Sequence, residues 1–189
     1  MALPLAALLS DRAPYPYAQR RLLDLELPYL TNAHLDRQLT PQPGQRVLEI
    51  GPGTGLQAVH VAPQLGHTGR LDIVDIQADM LEHVTEECAR RDLTNVTATL
   101  ADATALPFED NTFDSAYMMT VLGEIPAAGS AIREIARVLK PNGLLVVGEF
   151  LDRHWVAPKN LNRIANAAGL HQLRRHGPFW GYTAVFRAR

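Results

Sequence analysis

One cysteine, Cys88, is all the thiol chemistry this chain holds in 189 residues. That excludes an internal disulfide and any zinc site built from several thiolates. Its place in a helical pattern reads as passive packing, and no metal ligand set is expected. No run of about eighteen apolar residues occurs, so no segment can span a bilayer as a helix. The apolar stretch from Met1 to Leu9 is too short, and no basic residues precede it as a secretory signal requires. A cytoplasmic location is expected. Neither sign of charge dominates: 18 basic against 20 acidic side chains give a net charge of −2. No global basic field therefore draws nucleic acid, although Arg174, Arg175, Arg187 and Arg189 cluster near the C-terminus. Internal repeats, linkers and low-complexity stretches are also missing, and the length suits one domain with a full α/β core.

What the chain does contain is an alternation of strand and helix signals. Residues 17–39 carry Leu22, Leu23, Leu27, Leu30 and Leu35 in a rough helical stripe broken by Pro28. Beyond the punctuated turn at 41–44, strands are expected over 46–50, 70–74, 96–100 and 113–119. Helices are expected over 56–62, 78–91 and 130–139. Met80, Val84, Glu87 and Cys88 share nearly one face of the second of these. Lys140-Pro141-Asn142-Gly143 reads as a helix stop: a basic residue, a breaker and a left-handed glycine. Strand 144–150 is almost continuously apolar, as a strand covered on both faces should be. A helix over 158–168 ends at Gly169, and strands 170–175 and 182–187 join through Gly177-Pro178 as a hairpin closing the sheet edge. The sum is a doubly wound α/β fold. Residues 1–42 form an N-terminal helical or lid segment, 43–150 the ligand-binding core, and 151–189 the closing helix and hairpin.

The most informative stretch is Val47-Leu48-Glu49-Ile50-Gly51-Pro52-Gly53-Thr54-Gly55. An apolar strand runs into a loop with glycine at alternate positions, where backbone can approach a ligand without a Cβ in the way. The helix after it presents free N–H groups to a polar or anionic group. About twenty residues on, a second strand ends at Asp75, where nucleotide folds hold ribose hydroxyls. An ionised Asp only accepts, so one carboxylate can take two hydroxyls; capping of the next helix is the compatible alternative. Asp102-Ala103 follows the third strand. Its carboxylate suits an exocyclic amine and the Ala103 N–H a ring nitrogen of adenine, against the plainer reading of a surface turn.

These segments together resemble the class I S-adenosylmethionine-dependent methyltransferases. The resemblance rests on the Glu49–Gly55 loop, on Asp75 and on Asp102-Ala103 with Leu106-Pro107-Phe108 and Asn111-Thr112-Phe113-Asp114. It rests also on the stretch from Arg133 to Gly143. The likeness is greatest to the small-molecule and lipid branch that includes ubiquinone/menaquinone and phospholipid methyltransferases. It implies a Rossmann-like sheet of seven strands, mostly parallel with an antiparallel C-terminal strand, and S-adenosyl-L-methionine as cofactor. By position, Gly51, Gly53 and Gly55 cradle the methionine portion, with Glu49 fixing the loop. Asp75 holds the ribose, Ile76 packs on the adenine, Asp102 and Ala103 read its edge, and Thr120 meets the methionine end.

Methyl transfer asks little of side chains beyond holding a nucleophile in line with water excluded. A base is needed only where the nucleophile must lose a proton. Glu124, Glu149, Asp152 and His154 follow the fourth and fifth strands; His154 and Glu124 are the candidates chosen. An unperturbed imidazole titrates near neutrality, while an exposed loop histidine is the plainer alternative for His154. Tyr15 and Tyr17, flanking Pro16, are read as part of a lid or as ordinary packing. No Asn/Asp-Pro-Pro-Tyr pattern grips a flipped base. The acceptor expected is small or lipophilic, with no nucleic acid partner and with weak peripheral membrane contact through the apolar N-terminus. A nicotinamide-dependent oxidoreductase and a non-catalytic cofactor-binding module remain as alternatives from other classes.

Overall fold

The short apolar runs pair side by side because each presents hydrophobic residues to both faces, which only a sheet covered on two sides can bury. In the computed structural model, which describes residues 14–18 and 27–189, the strands are β1 (Arg46–Ile50), β2 (Arg70–Asp75), β3 (Val96–Leu100), β4 (Phe113–Met119), β5 (Leu139–Phe150), β6 (Leu170–His176) and β7 (Gly181–Ala188). They form one sheet in the order β3-β2-β1-β4-β5-β7-β6. The first five are parallel, and β7 runs antiparallel between β5 and β6. The expected seven-stranded, mostly parallel architecture is therefore present.

Among the described residues the α-helices are α1 (Asn32–Leu39), α2 (Ala58–Val61), α3 (Ala78–Ala89), α4 (Ala128–Val138) and α5 (Pro158–Ala167). Successive strand residues alternate between two cores. Leu48, Ile50, Met118 and Val147 pack with Ile132 and Ile135 of α4 and Leu161 of α5. Val47, Tyr117, Val146 and Val185 pack on the other face with Leu35 of α1, Val61 of α2 and Val84 of α3. Cys88 is buried in that second core, and its neighbour Glu87 turns outward to pair with Arg90 and Arg91.

Two local readings differ. The helix after the glycine loop is only four α-helical residues, and Ala62–Leu65 tightens to a 3₁₀ turn, because Pro63 has no N–H for the next helical bond. Lys140–Gly143 does not separate helix from strand: Leu139 ends α4 and already pairs with Phe113 in β5. The extra residues are absorbed as an irregularity before Leu144 meets Ser115. The left-handed residue there is Asn142 (φ 67°) rather than Gly143. Gly143 serves close approach instead, since a Cβ would lie 2.8 Å from the Lys140 carbonyl oxygen. Of the stripe expected over 17–39, the described residues show α1 and a turn at Pro28-Tyr29, and 19–26 are not described. Leu22, Leu23 and the stretch 1–9 lie outside the described residues.

Strand order reverses between β1 and β4, and the crevice beyond their carboxyl ends is where a sheet of this kind leaves room for a ligand.

Candidate functional site

A cavity of about 860 Å³ occupies that crevice, within the size range of cofactor pockets. Its floor is the glycine loop. Gly51, Gly53 and Gly55 all take positive φ (67°, 54° and 85°), and a Cβ on Gly51 would sit 2.5 Å from Val121 Cγ2. The loop therefore needs glycine there both for its backbone and for its packing against the turn after β4. Gly51 and Gly53 line the cavity, whereas Gly55 packs behind them against Val84 of α3.

Glu49 also lies behind the loop rather than on the wall. It is fully enclosed, and burial pushes its carboxyl up to about 8; the Tyr117 hydroxyl opposes that shift and the Asp75 charge adds to it. Glu49 Oε2 and the Tyr117 hydroxyl nevertheless close no hydrogen bond of normal geometry.

Along the opposite wall, Asp75 Oδ1 accepts the Gln77 N–H at 2.8 Å. Burial raises its pKa, against the pull of the Gln77 and Ile76 N–H groups. Asp75 thus ties down the approach to α3, whose N-cap position is Gln77, and also faces the cavity. Ile76 is 55 % exposed beside it, an apolar surface ready to meet a flat ring. Asp102 Oδ1 accepts from the Thr104 N–H and hydroxyl, each at 2.7 Å, and these bonds hold its pKa down. Ala103 is buried next to it on the wall. Thr120 has φ 57° and donates its hydroxyl to the Met119 carbonyl at 2.7 Å. That turn presents Thr120 to the cavity.

The far end of the cavity is built by Tyr15, Glu124 and Asp152 with Asn32, Ile125, Phe150 and Leu151. Tyr15 lies across it as a strap. Gln77 Nε2 donates to its carbonyl at 3.1 Å, and its hydroxyl donates to Asp152 Oδ2 at 3.4 Å. The Arg153 guanidinium covers its ring 4.8 Å from the centroid, and its own N–H bonds the Glu124 carboxyl. Tyr17 instead packs edge-on against His83 of α3.

Burial pushes Glu124 up to about 8, against that N–H, with Asp152 and Asp75 adding to the rise. His154, far from being an exposed loop residue, is buried behind this group and off the cavity wall. Its Nδ1 lies 3.6 Å from Glu124 Oε1, and its ring meets Tyr15 edge-on. Gly123 permits this closeness, because a Cβ there would fall 1.5 Å from the His154 carbonyl oxygen. Of the other acids, Asp152 is on the wall while Glu149 is not; Glu149 accepts the Val156 N–H at 3.0 Å.

Sequence reasoning did not single out Gln77 or Asn32. Asn32 reaches the wall as the first residue of α1, and its Oδ1 has no hydrogen-bond partner among the described residues.

Among the described residues, every charged side chain on the wall is acidic: Asp75, Asp102, Glu124 and Asp152. Such a pocket favours a cationic or neutral ligand and disfavours a pyrophosphate. The residues fit S-adenosylmethionine: a Cβ-free cradle, an acid for a diol and an apolar surface for a ring. The profile of the methyltransferase domain family matches residues 47–143, just over half of the chain.

The chain belongs to the methyltransferase domain family. It is 36 % identical over 135 residues to the ubiquinone/menaquinone biosynthesis C-methyltransferase UbiE of Serratia proteamaculans, a match covering 71 % of this chain and 53 % of that protein. The same protein of Edwardsiella ictaluri is 35 % identical over the same shares. The chain thus spans about half the length of these curated relatives. Among solved structures, a SAM-dependent methyltransferase from Aquifex aeolicus superposes with a TM-score of 0.82 at 19 % identity, covering 93 % of this chain and all of that one. The [4+2]-cyclase SpnF gives 0.74 at 23 %, covering 95 % and 84 %. At these identities the structural likeness is one of fold, and this methyltransferase-domain fold does not by itself fix the reaction.

Proposed function

We propose that this chain transfers a methyl group from S-adenosylmethionine to a small, lipophilic acceptor bearing a weakly acidic hydroxyl, such as a quinol-type ring. The observation that carries the reading is the acid-only wall around a glycine cradle. A sulfonium is stabilised by such a wall, while a nicotinamide dinucleotide would bring its phosphates beside Asp75, where no described wall residue is a cation. Bound there, S-adenosylmethionine supplies a methyl group already activated on sulfur.

The roles of the residues follow from their places. Gly51 and Gly53 hold the amino-acid end, Asp75 the ribose, and Ile76, Asp102 and Ala103 the adenine. Glu49 props the loop from below, with Gly55 packed on α3. Thr120 sets the turn between cofactor and acceptor. At the far end, the apolar surface of Ile125, Phe150 and Leu151 takes a hydrophobic acceptor ring. Glu124 accepts the hydroxyl proton: with a pKa raised to about 8 it is matched to a weakly acidic O–H near neutral pH. His154 acts as a positioning residue behind Glu124, and Tyr15 covers the acceptor and excludes water. The UbiE relatives, named as C-methyltransferases of ubiquinone and menaquinone biosynthesis, support a quinol-type ring as acceptor, in which loss of the hydroxyl proton to Glu124 makes the neighbouring ring carbon nucleophilic.

The test is incubation with methyl-labelled S-adenosylmethionine and a panel of chemically reduced prenylated benzoquinols and naphthoquinols, with simple catechols and amines as controls. Label is expected in a quinol product. Transfer only to the amines would remove the hydroxyl-acceptor reading.

A further inference from the structure

Charge is not spread evenly along the chain. From Arg153 to Arg189 the sequence holds seven Lys and Arg side chains and no Asp or Glu. All twenty acids therefore precede this stretch, in a chain whose net charge is −2. These residues build α5, β6 and β7 at one edge of the sheet. Lys159, Arg163 and Arg175 are exposed there, while Arg187 is exposed at the opposite end of β7, beside His171.

The same edge exposes large apolar side chains. The β6–β7 turn holds Phe179, 62 % exposed, and Trp180, 36 % exposed, and Leu151 beside them is 52 % exposed. The Leu151 N–H bonds the Trp180 carbonyl at 2.6 Å, so the turn is fastened to the loop after β5. Phe150, edge-on to the Trp180 ring, and Leu151 are themselves cavity wall. An aromatic, apolar tip with a polar handle, with Arg175 at the near end of β6 and with Phe150 and Leu151 on the cavity wall, has the chemistry of the lipid–water interface.

We propose that this edge is a docking surface for anionic membranes: the Phe179-Trp180 turn and Leu151 enter the headgroup region, and the cations of α5 and β6 bind its negative surface. The inference gives a purpose to the lipophilic-acceptor reading, on which it rests, since it brings the cavity mouth to the bilayer in which such an acceptor dissolves. It differs from contact through the apolar N-terminus in being electrostatic, and hence sensitive to salt. A nucleic acid would answer to the cations alone, whereas the exposed Phe179 and Leu151 answer to acyl chains.

The experiment is co-flotation of the full chain with vesicles of phosphatidylcholine alone and of phosphatidylcholine mixed with phosphatidylglycerol, at low and high salt. The variants are Phe179→Ser and the double charge reversal Lys159→Glu/Arg175→Glu. Binding is expected on the anionic vesicles only, reversed by salt, and weakened about tenfold or more in each variant. Calorimetric affinity for S-adenosylhomocysteine, measured on the same samples, should be unchanged. No flotation, equal flotation on neutral vesicles, insensitivity to either variant, or tighter binding to a DNA duplex than to the vesicles would overturn the proposal. Loss of S-adenosylhomocysteine binding by the parent chain would instead count against the methyltransferase reading, so the two failures are distinguishable.

Discussion

Replacing Glu124 by Gln is the perturbation with most to say about the acceptor end. Its carboxyl lines the cavity with a side chain only 13 % exposed, and burial moves its pKa from an ordinary 4.5 to about 8. In the folded chain the proton is held through a window in which the unfolded chain has already lost it. Stability therefore falls as pH rises from roughly 4.5 to about 8, and the penalty is complete above 8. At about 1.4 kcal/mol per pKa unit the ceiling is about 5 kcal/mol. Water in the open cavity solvates the ionised form, which brings the expected figure to about 1–2 kcal/mol. Gln carries no charge at any pH. Glu124→Gln should therefore match the parent near pH 5 and melt about 2–8 °C higher near pH 9 in thermal unfolding.

The kinetic expectation runs the other way. A base of pKa about 8 is about one-tenth ionised at pH 7, so kcat should rise about tenfold towards pH 9. In Glu124→Gln that limb should vanish and the rate drop by about 10²–10⁴. Glu149→Gln is the control. Glu149 is also raised to about 8 by burial, yet it lies off the cavity wall, so its removal should shift stability without touching the rate profile. A Glu124→Gln enzyme that keeps the alkaline limb would refute the assignment.

Three further outcomes follow from particular contacts. Gly51→Ala should lose about 2–4 kcal/mol in urea unfolding, from left-handed backbone strain and from the clash with Val121; adding Val121→Ala should recover only the clash. Gly123→Ala should detach the loop after β5 from Glu124, because the His154 carbonyl occupies the space of the new methyl group, and should lower kcat more than cofactor affinity. Asp75→Ala should weaken S-adenosylhomocysteine binding by about 1.5–3 kcal/mol per lost charge-assisted bond. Asp75→Asn should lose less, since its side-chain oxygen can still accept the Gln77 N–H.

The parallel core was legible because its strands are short apolar runs stopped by loop chemistry; the bounds of β1, β3 and β4 read from sequence are those observed. The glycine loop was legible for a related reason: alternate glycines have few uses besides bringing backbone close to a ligand. Less legible was the 139–143 junction, where an ion pair from Lys140 to Asp114 at 2.6 Å and a carbonyl approach at Gly143 decide the path. The ion pair, and the approach of Gly143 to the Asp114 carbonyl oxygen, join β5 to β4, and no local propensity contains them. The acceptor end was legible only as a set of residue types. Which acid faces the cavity and which props it from behind depends on how the loops after β4 and β5 interlock at Gly123. The Tyr15 strap, clasped by Gln77 62 positions away, has no periodic signature.

The central claim is that the cavity holds S-adenosylmethionine, and calorimetric titration of the purified chain with S-adenosylhomocysteine, with NADH as control, tests it most directly. The account predicts micromolar binding of S-adenosylhomocysteine and none of NADH. Preference for NADH, or no binding of either, would contradict it.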